Sequence, residues 1–593
     1  MLPRPPASKV RNLLPLRPSI NAVLDEETGK LLEYRHLLKT KHREVWENGF
    51  SKELARLSNG RSKDDTPGTN TITWIHPSEL PSNKKPTYTR ICTNYRPQKE
   101  DPYRVRCTLG GNLIHYPGPK ATPTASLSTI KLLINSVLST PNAKFCSVDI
   151  KDFYLQSILP DPEYIMIPFN LIPPDIVNDY NLTNKASNGN VYAKVTKGMY
   201  GLPQAGKLAH DDLVRHLARG GYFPTKYTPG LFTNKQRTVQ FALVVDDFGI
   251  KFTNQLDLEH LLRHLKQQYV ITQDEGHRFN GYHLKWDYDK RECELSIPEY
   301  CYKAILRFKH ALPSKPQHSP YPYQPPRYGQ VIQYASTPPS TSACKLSPQQ
   351  LQELQEITGT FRWYADAIDS TMSMPVSSLS TDTNNIERSE LIRRKNQFLD
   401  YASTHPNAIL KYKASGMHLW AHTDASYLSE SKARSRAGGF YFLSDKPSFP
   451  ILPTDPSPPL NGAIAVKSKI IDAVMSSAQE AETGAGFYNA KELLPLRQTL
   501  EELGHSQGPT PLQFDNISAT QILKDEVSQK RSKAMDMRYY WLRDRAKQQQ
   551  FHIHWKKGTH NIADYFTKHH SPSHHKKMRP VFLTESKIKN SVC

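Results

Sequence analysis

Residues 239–252 read VQFALVVDDFGIKF. Mostly apolar residues, Val239 to Val245, lead into Asp246 and Asp247, and a second apolar run, Phe248 to Phe252, leads out. Short β-rich runs on both sides of a two-residue polar break predict a hairpin with carboxylates at its tip. An Asp-Asp pair between strands is by itself only a turn, since Asp tolerates turn geometry. Upstream, however, FCSVDIKDFY at 145–154 ends another β-like run in an acid, Asp149. Three carboxylates near one point repel each other and cost stability unless a cation sits among them. Two such strands point to a divalent-metal site for phosphoryl transfer.

The chain has 593 residues, long enough for about three or four domains. Its 77 Lys+Arg against 56 Asp+Glu leave a formal net charge of +21, an excess that favours a polyanionic partner. With 37% hydrophobic residues sizeable cores are possible, and a disordered chain is excluded. Seven cysteines are scattered without a CxxC pair, so neither a disulfide framework nor a zinc finger is indicated, which fits a reducing, intracellular compartment. No apolar stretch approaches ~18 residues, so no membrane span is expected. The N-terminal MLPRPPASKVRNLLPLRPSI is basic and Pro-rich without an apolar h-region, so no signal peptide is expected.

In chain order, a lead-in over 1–30 precedes a helical pattern at Leu37–Leu57. Lys85–Gly111 holds short β-like runs carrying Arg96, Lys99, Arg104 and Arg106. Arg104 and Arg106 alternate, so they share a strand face, either as a solvated edge or as a clamp on a triphosphate. SLSTIKLLINSVLST at 126–140 has helical spacing behind a Ser or Thr cap. GMYGLPQAG at 198–206 precedes a helix over Lys207–Arg219, and its glycines allow close backbone approach. Leu256–Gln268 reads as an amphipathic helix and Phe279–Ile297 as a hairpin turning at Asp289-Lys290-Arg291. Nine prolines over 313–348 mark a linker, after which Ser347-Pro348 opens a helix to about Asp369.

The last third predicts a further α/β unit. Strands are expected at 418–424, 438–443, 463–469 and 512–515, with a Pro-rich loop at 446–460 and a helix at Val474–Ala490. Asp424, Glu482, Asp515 and Asp564 stand at strand ends or helix starts and suggest a second metal site, although any one of them alone is a cap or a surface residue.

These motifs resemble, in order, the reverse transcriptase of copia-type LTR retrotransposons: Phe145–Tyr154, VYAKVTKGMYGLPQAG (191–206), LVVDDFG (243–249) and FNGY (279–282). ITGTFRWYADAIDSTM (357–372) resembles that family's connection segment. HTDAS (422–426), AIAVKSK (463–469), SSAQEAETGA (476–485), DNISA (515–519), KAMDMRYYWLRD (533–544) and NIADYFTK (561–568) resemble its RNase H. The resemblance implies a right-hand polymerase of fingers, palm and thumb, of mixed α/β and α+β class, followed by an RNase H-like domain with a mixed sheet. Its expected divisions are a lead-in and helix (1–84), polymerase (85–310), Pro-rich linker (311–348), connection (349–415), RNase H-like domain (416–570) and basic tail (571–593).

The resemblance also implies roles. Asp149, Asp246 and Asp247 would be the polymerase carboxylates holding two Mg²⁺ (or Mn²⁺) ions, with Asp247 the supporting member. Tyr154 matches the aromatic gate against a ribose 2′-OH and otherwise is a core aromatic. Gln204 matches a contact to the incoming nucleotide. Arg104 or Arg106 would hold the triphosphate, a task suited to arginine's bidentate charge. Phe279, Gly281 and Tyr282 would form the primer grip, or else hairpin core. Asp424, Glu482, Asp515 and Asp564 match the RNase H carboxylates, again with two metal ions; Glu482 is chosen over Glu480 because Glu482-Thr-Gly-Ala485 fits the family's E-x-x-A. The partners implied are an RNA template, a DNA primer, RNA–DNA hybrid and dNTPs, in a cytoplasmic particle and the nucleus.

Valine stands before the Asp-Asp pair where the family has an aromatic residue, which removes a contact to the primer end. The loop His554-Trp-Lys-Lys-Gly-Thr-His560 leaves the proton-transfer histidine open. The tail HHSPSHHKK at 569–577 is expected as an exposed basic end touching nucleic acid, with a soft-metal site as the alternative. Neither an integrase-type zinc motif nor a protease Asp-Thr/Ser-Gly is present, so the expectation is the distal part of a polyprotein or a truncated copy. The rival reading is a catalytically silent relic or domesticated nucleic-acid binder; a non-LTR or telomerase-like polymerase fits less well because of the attached RNase H pattern.

Overall fold

The computed structural model describes residues 22–24, 31–95, 102–323, 346–381, 387–524 and 536–585. Arg96, Lys99, most of the expected lead-in, most of the Pro-rich linker, the first residues of KAMDMRYYWLRD and the final 586–593 lie outside these. It is a mixed α/β, multidomain structure.

The first sheet has five strands in the order Ile72–Ile75, Asn190–Lys197, Ile158–Pro168, Thr87–Tyr95 and Tyr103–Leu109. Helix Arg43–Leu57 buries Trp46, Phe50, Leu54 and Leu57 in the same core as Val105, Ile165 and Val195. The expected boundary at residue 85 therefore cuts through this unit, because Ile72–Ile75 pairs with Asn190–Lys197. A four-residue strand is too short to show an alternation that a sequence reading could find.

The second sheet carries the hairpin, in the order Tyr222–Pro224, Leu231–Asn234, Gln240–Val244, Asp247–Phe252, Lys144–Ile150 and Ile271–Asp274. Alternation splits its apolar residues between two faces. Phe241, Leu243, Phe248 and Ile250 pack with Leu213 and Leu217 of helix Ala205–Arg219 and with Leu258, Leu261 and Leu265 of helix Gln255–Lys266. Ala242 on the other face shares a core with Ile130 and Ile134 of helix Leu127–Ser139, which is capped by Ser126 accepting from the Thr129 N–H at 3.1 Å.

A third sheet joins distant segments in the order Arg278–Phe279, Tyr282–Asp287, Glu292–Ser296, Ala408–Lys413 and Thr584–Glu585. Part of the expected connection segment thus pairs with the hairpin at 279–297, and part of the expected tail pairs with that strand in turn. The tail is a correction. Pro572–Phe582 is a helix capped by Ser571, and Arg579 is 5% exposed against Asp369, which is fully buried. Phe582 and Leu583 join the core, so apolar residues spaced among Lys and His dock this end.

The C-terminal sheet runs Ala465–Ile470, Arg434–Ser444, His418–Glu430, Thr510–Phe514 and Phe551–Trp555. Arg434–Ser444 is antiparallel to both of its neighbours, and Thr510–Phe514 and Phe551–Trp555 continue the sheet in parallel beyond His418–Glu430. Across it lies helix Ala478–Glu502, longer than the expected Val474–Ala490. Its far end meets the hairpin unit, where Thr499 and Thr228 hydroxyls lie 3.0 Å apart and the Glu502 carboxylate accepts from the Tyr227 N–H at 2.7 Å. Among the described residues no helix is long and apolar enough to cross a membrane.

Candidate active site

Strand pairing decides where the first three carboxylates go. Val244 pairs with Asp247, so Val245 and Asp246 form the two-residue turn and Asp247 begins the outgoing strand directly opposite Asp149. Val245 sits at φ +63°, a left-handed conformation that a β-branched residue adopts only under strain. The Ile150 N–H donates to the Asp246 carbonyl at 3.1 Å, which fastens the turn to the neighbouring strand. Asp149 is exposed, and Asp246 and Asp247 are half-buried. Burial, reinforced by the Asp149 charge and opposed by Arg106, pushes Asp246 up to about 6. Burial likewise pushes Asp247 up to about 7 against the Asn280 N–H, which donates to its Oδ2 at 2.8 Å.

Beside them, Asp152 at φ +57° starts the short 3-10 turn Phe153–Gln156 that carries Tyr154. The Tyr154 ring meets that of Tyr200 edge-on at 5.1 Å. Gly201 needs its glycine for protein rather than ligand: at φ +97° an added Cβ would lie 2.2 Å from the Leu109 carbonyl oxygen. Gln204 immediately precedes helix Ala205–Arg219 without capping it through its side chain; it is 4% exposed, and its Oε1 has no hydrogen-bond partner among the described residues. Arg106 lies over the Tyr200 ring at 4.7 Å and its charge reaches Asp246. Arg104 stands two residues away on the same strand, half-buried and opposite Asn94.

Sequence reasoning missed Arg56. It pairs with both Glu53 and Asp152, while the Glu53 Oε1 accepts from the Cys107 N–H at 3.1 Å. Nothing local distinguishes Arg56 from the other charges of its helix, because its partner is 96 residues away.

Phe279 and Tyr282 are 2% and 0% exposed, so their side chains are core. Phe279 fills the space above Gly249, where an added Cβ would come within 2.6 Å of its ring. Only the Asn280-Gly281 turn between them, both residues at positive φ, reaches the carboxylates, through the Asn280 N–H.

The second group is more enclosed. Asp424 lies in strand His418–Glu430, Glu482 in the first turns of the long helix, and Asp515 just past Thr510–Phe514; one carboxylate oxygen from each lies within 4.8 Å of the others. Asp424 and Glu482 are 2% and 7% exposed. Glu480 instead accepts from the Ser476 N–H at 2.7 Å, a capping role that leaves Glu482 as the inward glutamate. Asp564 is outside the tight trio, half-buried and ion-paired to Lys568, yet its charge acts on Asp424 and Asp515. Burial, aided by Asp564, pushes Asp424 up to about 7, and burial with the Asp424 charge raises Glu482 well above the carboxylate range. Burial lowers Lys568, but Asp424 and Asp564 more than offset it. The Glu482 Oε2 is buried without a hydrogen-bond partner among the described residues. Buried oxygens that repel and an oxygen left unpaired fit a hard divalent cation.

The histidines left open by sequence separate here. His554 is 1% exposed, and burial pushes it down to about 3. His560 is exposed on the 3-10 turn Gly558–His560; that turn abuts Asp515, whose Oδ2 would lie 3.1 Å from a Cβ at Gly558. In the tail, His575 is buried with its Nδ1 2.6 Å from the Tyr565 hydroxyl, which is packing rather than an exposed basic end.

Fold and site together define a mixed α/β protein with two separate carboxylate centres. Comparison with known proteins then gives its relatives. The chain is 28% identical over 150 residues to the retrovirus-related Pol polyprotein from transposon TNT 1-94 of Nicotiana tabacum, covering 25% of this chain and 10% of that one. It is 23% identical over 426 residues to the Pol polyprotein from transposon RE2 of Arabidopsis thaliana and 23% over 427 residues to that from RE1, each covering 71% of this chain and 26% of the relative. Its homologues are thus copia-type retrotransposon Pol polyproteins, of which it spans about a quarter or less. No family model matches. Among solved structures, the N-terminal RNase H domain of a Mycobacterium tuberculosis protein, fused to maltose binding protein, aligns with 28% of this chain and 97% of that one, at 12% identity and a TM-score of 0.18.

Proposed function

We propose that the chain is an RNA-directed DNA polymerase joined to a ribonuclease H that cleaves the RNA of RNA–DNA hybrids. The observation that carries this reading is the pair of carboxylate centres, one at a strained hairpin turn and one across a mixed sheet, within a chain of net charge +21. In the first centre Asp149, Asp246 and Asp247 would hold Mg²⁺, or Mn²⁺ in its place. Arg106, with Arg104 further along the strand, would draw in the dNTP triphosphate; Tyr154 would close the space beside the sugar, and Gln204 would offer its free amide oxygen to the nucleotide. In the second centre Asp424, Glu482 and Asp515, with Asp564 once Lys568 swings away, would hold the same ion. The ion, when bound, stabilises charge on the attacking and leaving oxygens of phosphoryl transfer. The Asn280-Gly281 turn would fix the carboxylate of Asp247. Hybrid recognition would rest on backbone shape and 2′-OH contacts.

Primer extension on an RNA template with dNTPs and Mg²⁺ tests the reading, beside an Asp246→Asn/Asp247→Asn control. Extension by the unaltered protein alone is expected. Hybrid binding without extension, in Mg²⁺ and in Mn²⁺, would replace it with the silent-binder reading.

A further inference from the structure

Four charged side chains lie in a row behind the hairpin centre: Glu53, Arg56, Asp152 and Arg106. Arg56 comes from helix Arg43–Leu57, and its two terminal nitrogens divide between Glu53 and the Asp152 Oδ1. Arg106 approaches that same Asp152 oxygen but stops at 4.0 Å, too far for a hydrogen bond. Its approaching Nη1 is buried and has no hydrogen-bond partner among the described residues. A buried guanidinium nitrogen left unpaired is costly, and here a carboxylate that could satisfy it is nearby but already taken. The Arg106 plane is held over Tyr200 instead, close enough to Asp246 to act on it electrostatically.

We propose that Arg56 is a positioning residue which occupies Asp152 and thereby keeps Arg106 at long ion-pair range, without a hydrogen-bonded carboxylate, for the phosphates of an incoming nucleotide. The proposal rests on the polymerase reading above and names how its anion site is kept open. Without Arg56, the Asp152 carboxylate draws in the Arg106 guanidinium as a close, two-pronged pair, a geometry that arginine and carboxylate favour. Arg106 is then spent on the protein itself. Loss of Arg56 therefore acts on nucleotide affinity, and removing Asp152 as well releases Arg106 again.

The test is steady-state primer extension by the full chain on a fixed primer–template, with dNTP varied and thermal unfolding recorded for each variant. Arg56→Met is expected to raise the dNTP KM about tenfold while changing kcat by less than about threefold, one decade corresponding to the loss of a charge-assisted contact. Asp152→Asn alone is expected to leave KM unchanged or lower. Arg56→Met/Asp152→Asn is expected to return KM most of the way, a suppression that a merely structural role does not produce, since two structural losses add. A double variant as impaired as Arg56→Met, or more so, overturns the proposal. If Arg56→Met does not fold, Asp152→Asn decides by itself, because it leaves the Arg56–Glu53 pair in place; a tenfold rise in its KM overturns the proposal. Failure of the unaltered protein to extend any primer counts against the polymerase reading instead.

Discussion

The two carboxylate centres are built in opposite ways. At the hairpin, Asp149 is exposed, Asp246 rides on a two-residue turn and Asp247 is already tied to the Asn280 N–H. In the C-terminal sheet, Asp424 and Glu482 are buried and share a 4.8 Å neighbourhood with Asp515, while Lys568 leans in as a resident positive charge. The first site is the more open one, with Asp149 facing water, yet burial still pushes Asp246 up to about 6 and Asp247 up to about 7. The second concentrates repulsion in a drier place and offsets part of it with the Lys568 ammonium.

The strongest way to break this comparison is to silence each centre alone. Asp246→Asn/Asp247→Asn is expected to reduce primer extension on the order of a thousandfold and leave hybrid cleavage intact, while Asp424→Asn does the reverse, since losing a group that stabilises transition-state charge costs that much. A single substitution that abolished both activities would show one shared centre. The next effect concerns protons. Burial and repulsion push Asp424 up to about 7 and raise Glu482 well above the carboxylate range, so at neutral pH and below an incoming cation would have to expel protons from the pair. Calorimetry of Mg²⁺ or Mn²⁺ in an Asp246→Asn/Asp247→Asn background is expected to show proton release at pH 6 and an affinity about tenfold weaker per pH unit below 7. Affinity constant from pH 6 to 8 would contradict a buried, repelling trio.

Two smaller effects sharpen the contrast. Gly249→Ala places a Cβ against the Phe279 ring, and overpacking of that kind costs about 2 kcal/mol; denaturant unfolding is expected to register it and divalent ions not to rescue it. Lys568→Met removes the resident charge, whose side chain is half exposed and therefore screened. A loss on the order of 1 kcal/mol in the metal-free protein is expected, and Mg²⁺ should restore it. The same loss in metal-free and Mg²⁺-saturated protein would mean that Lys568 serves packing alone.

Much of this was legible in the sequence because strand alternation and acids at strand ends are local signals. The apolar runs around Asp246 and Asp247 place the hairpin, and Ser126 and Ser347 each cap the helix they precede. Which glutamate points inward followed only from a family pattern, and capping by Glu480 gives it a physical reason. What escaped was non-local. Arg56 meets a carboxylate far along the chain, Ile72–Ile75 is a strand only because Asn190–Lys197 lies beside it, and the His-rich tail reads as an exposed basic end because its anchors are only Phe582 and one buried arginine.

That arginine has a consequence for synthesis. Asp369 is wholly enclosed, and the guanidinium that neutralises it belongs to Arg579, 210 residues later, together with the Thr371 and Tyr401 hydroxyls. A buried carboxylate without its partner is destabilising by several kcal/mol. The helices around Asp369 therefore cannot settle while the chain is still emerging from the ribosome, although the hairpin unit upstream has every strand it needs. Closure of the middle waits for residue 579, and a nascent chain halted before it presents the strands of the hairpin sheet beside an unclosed centre.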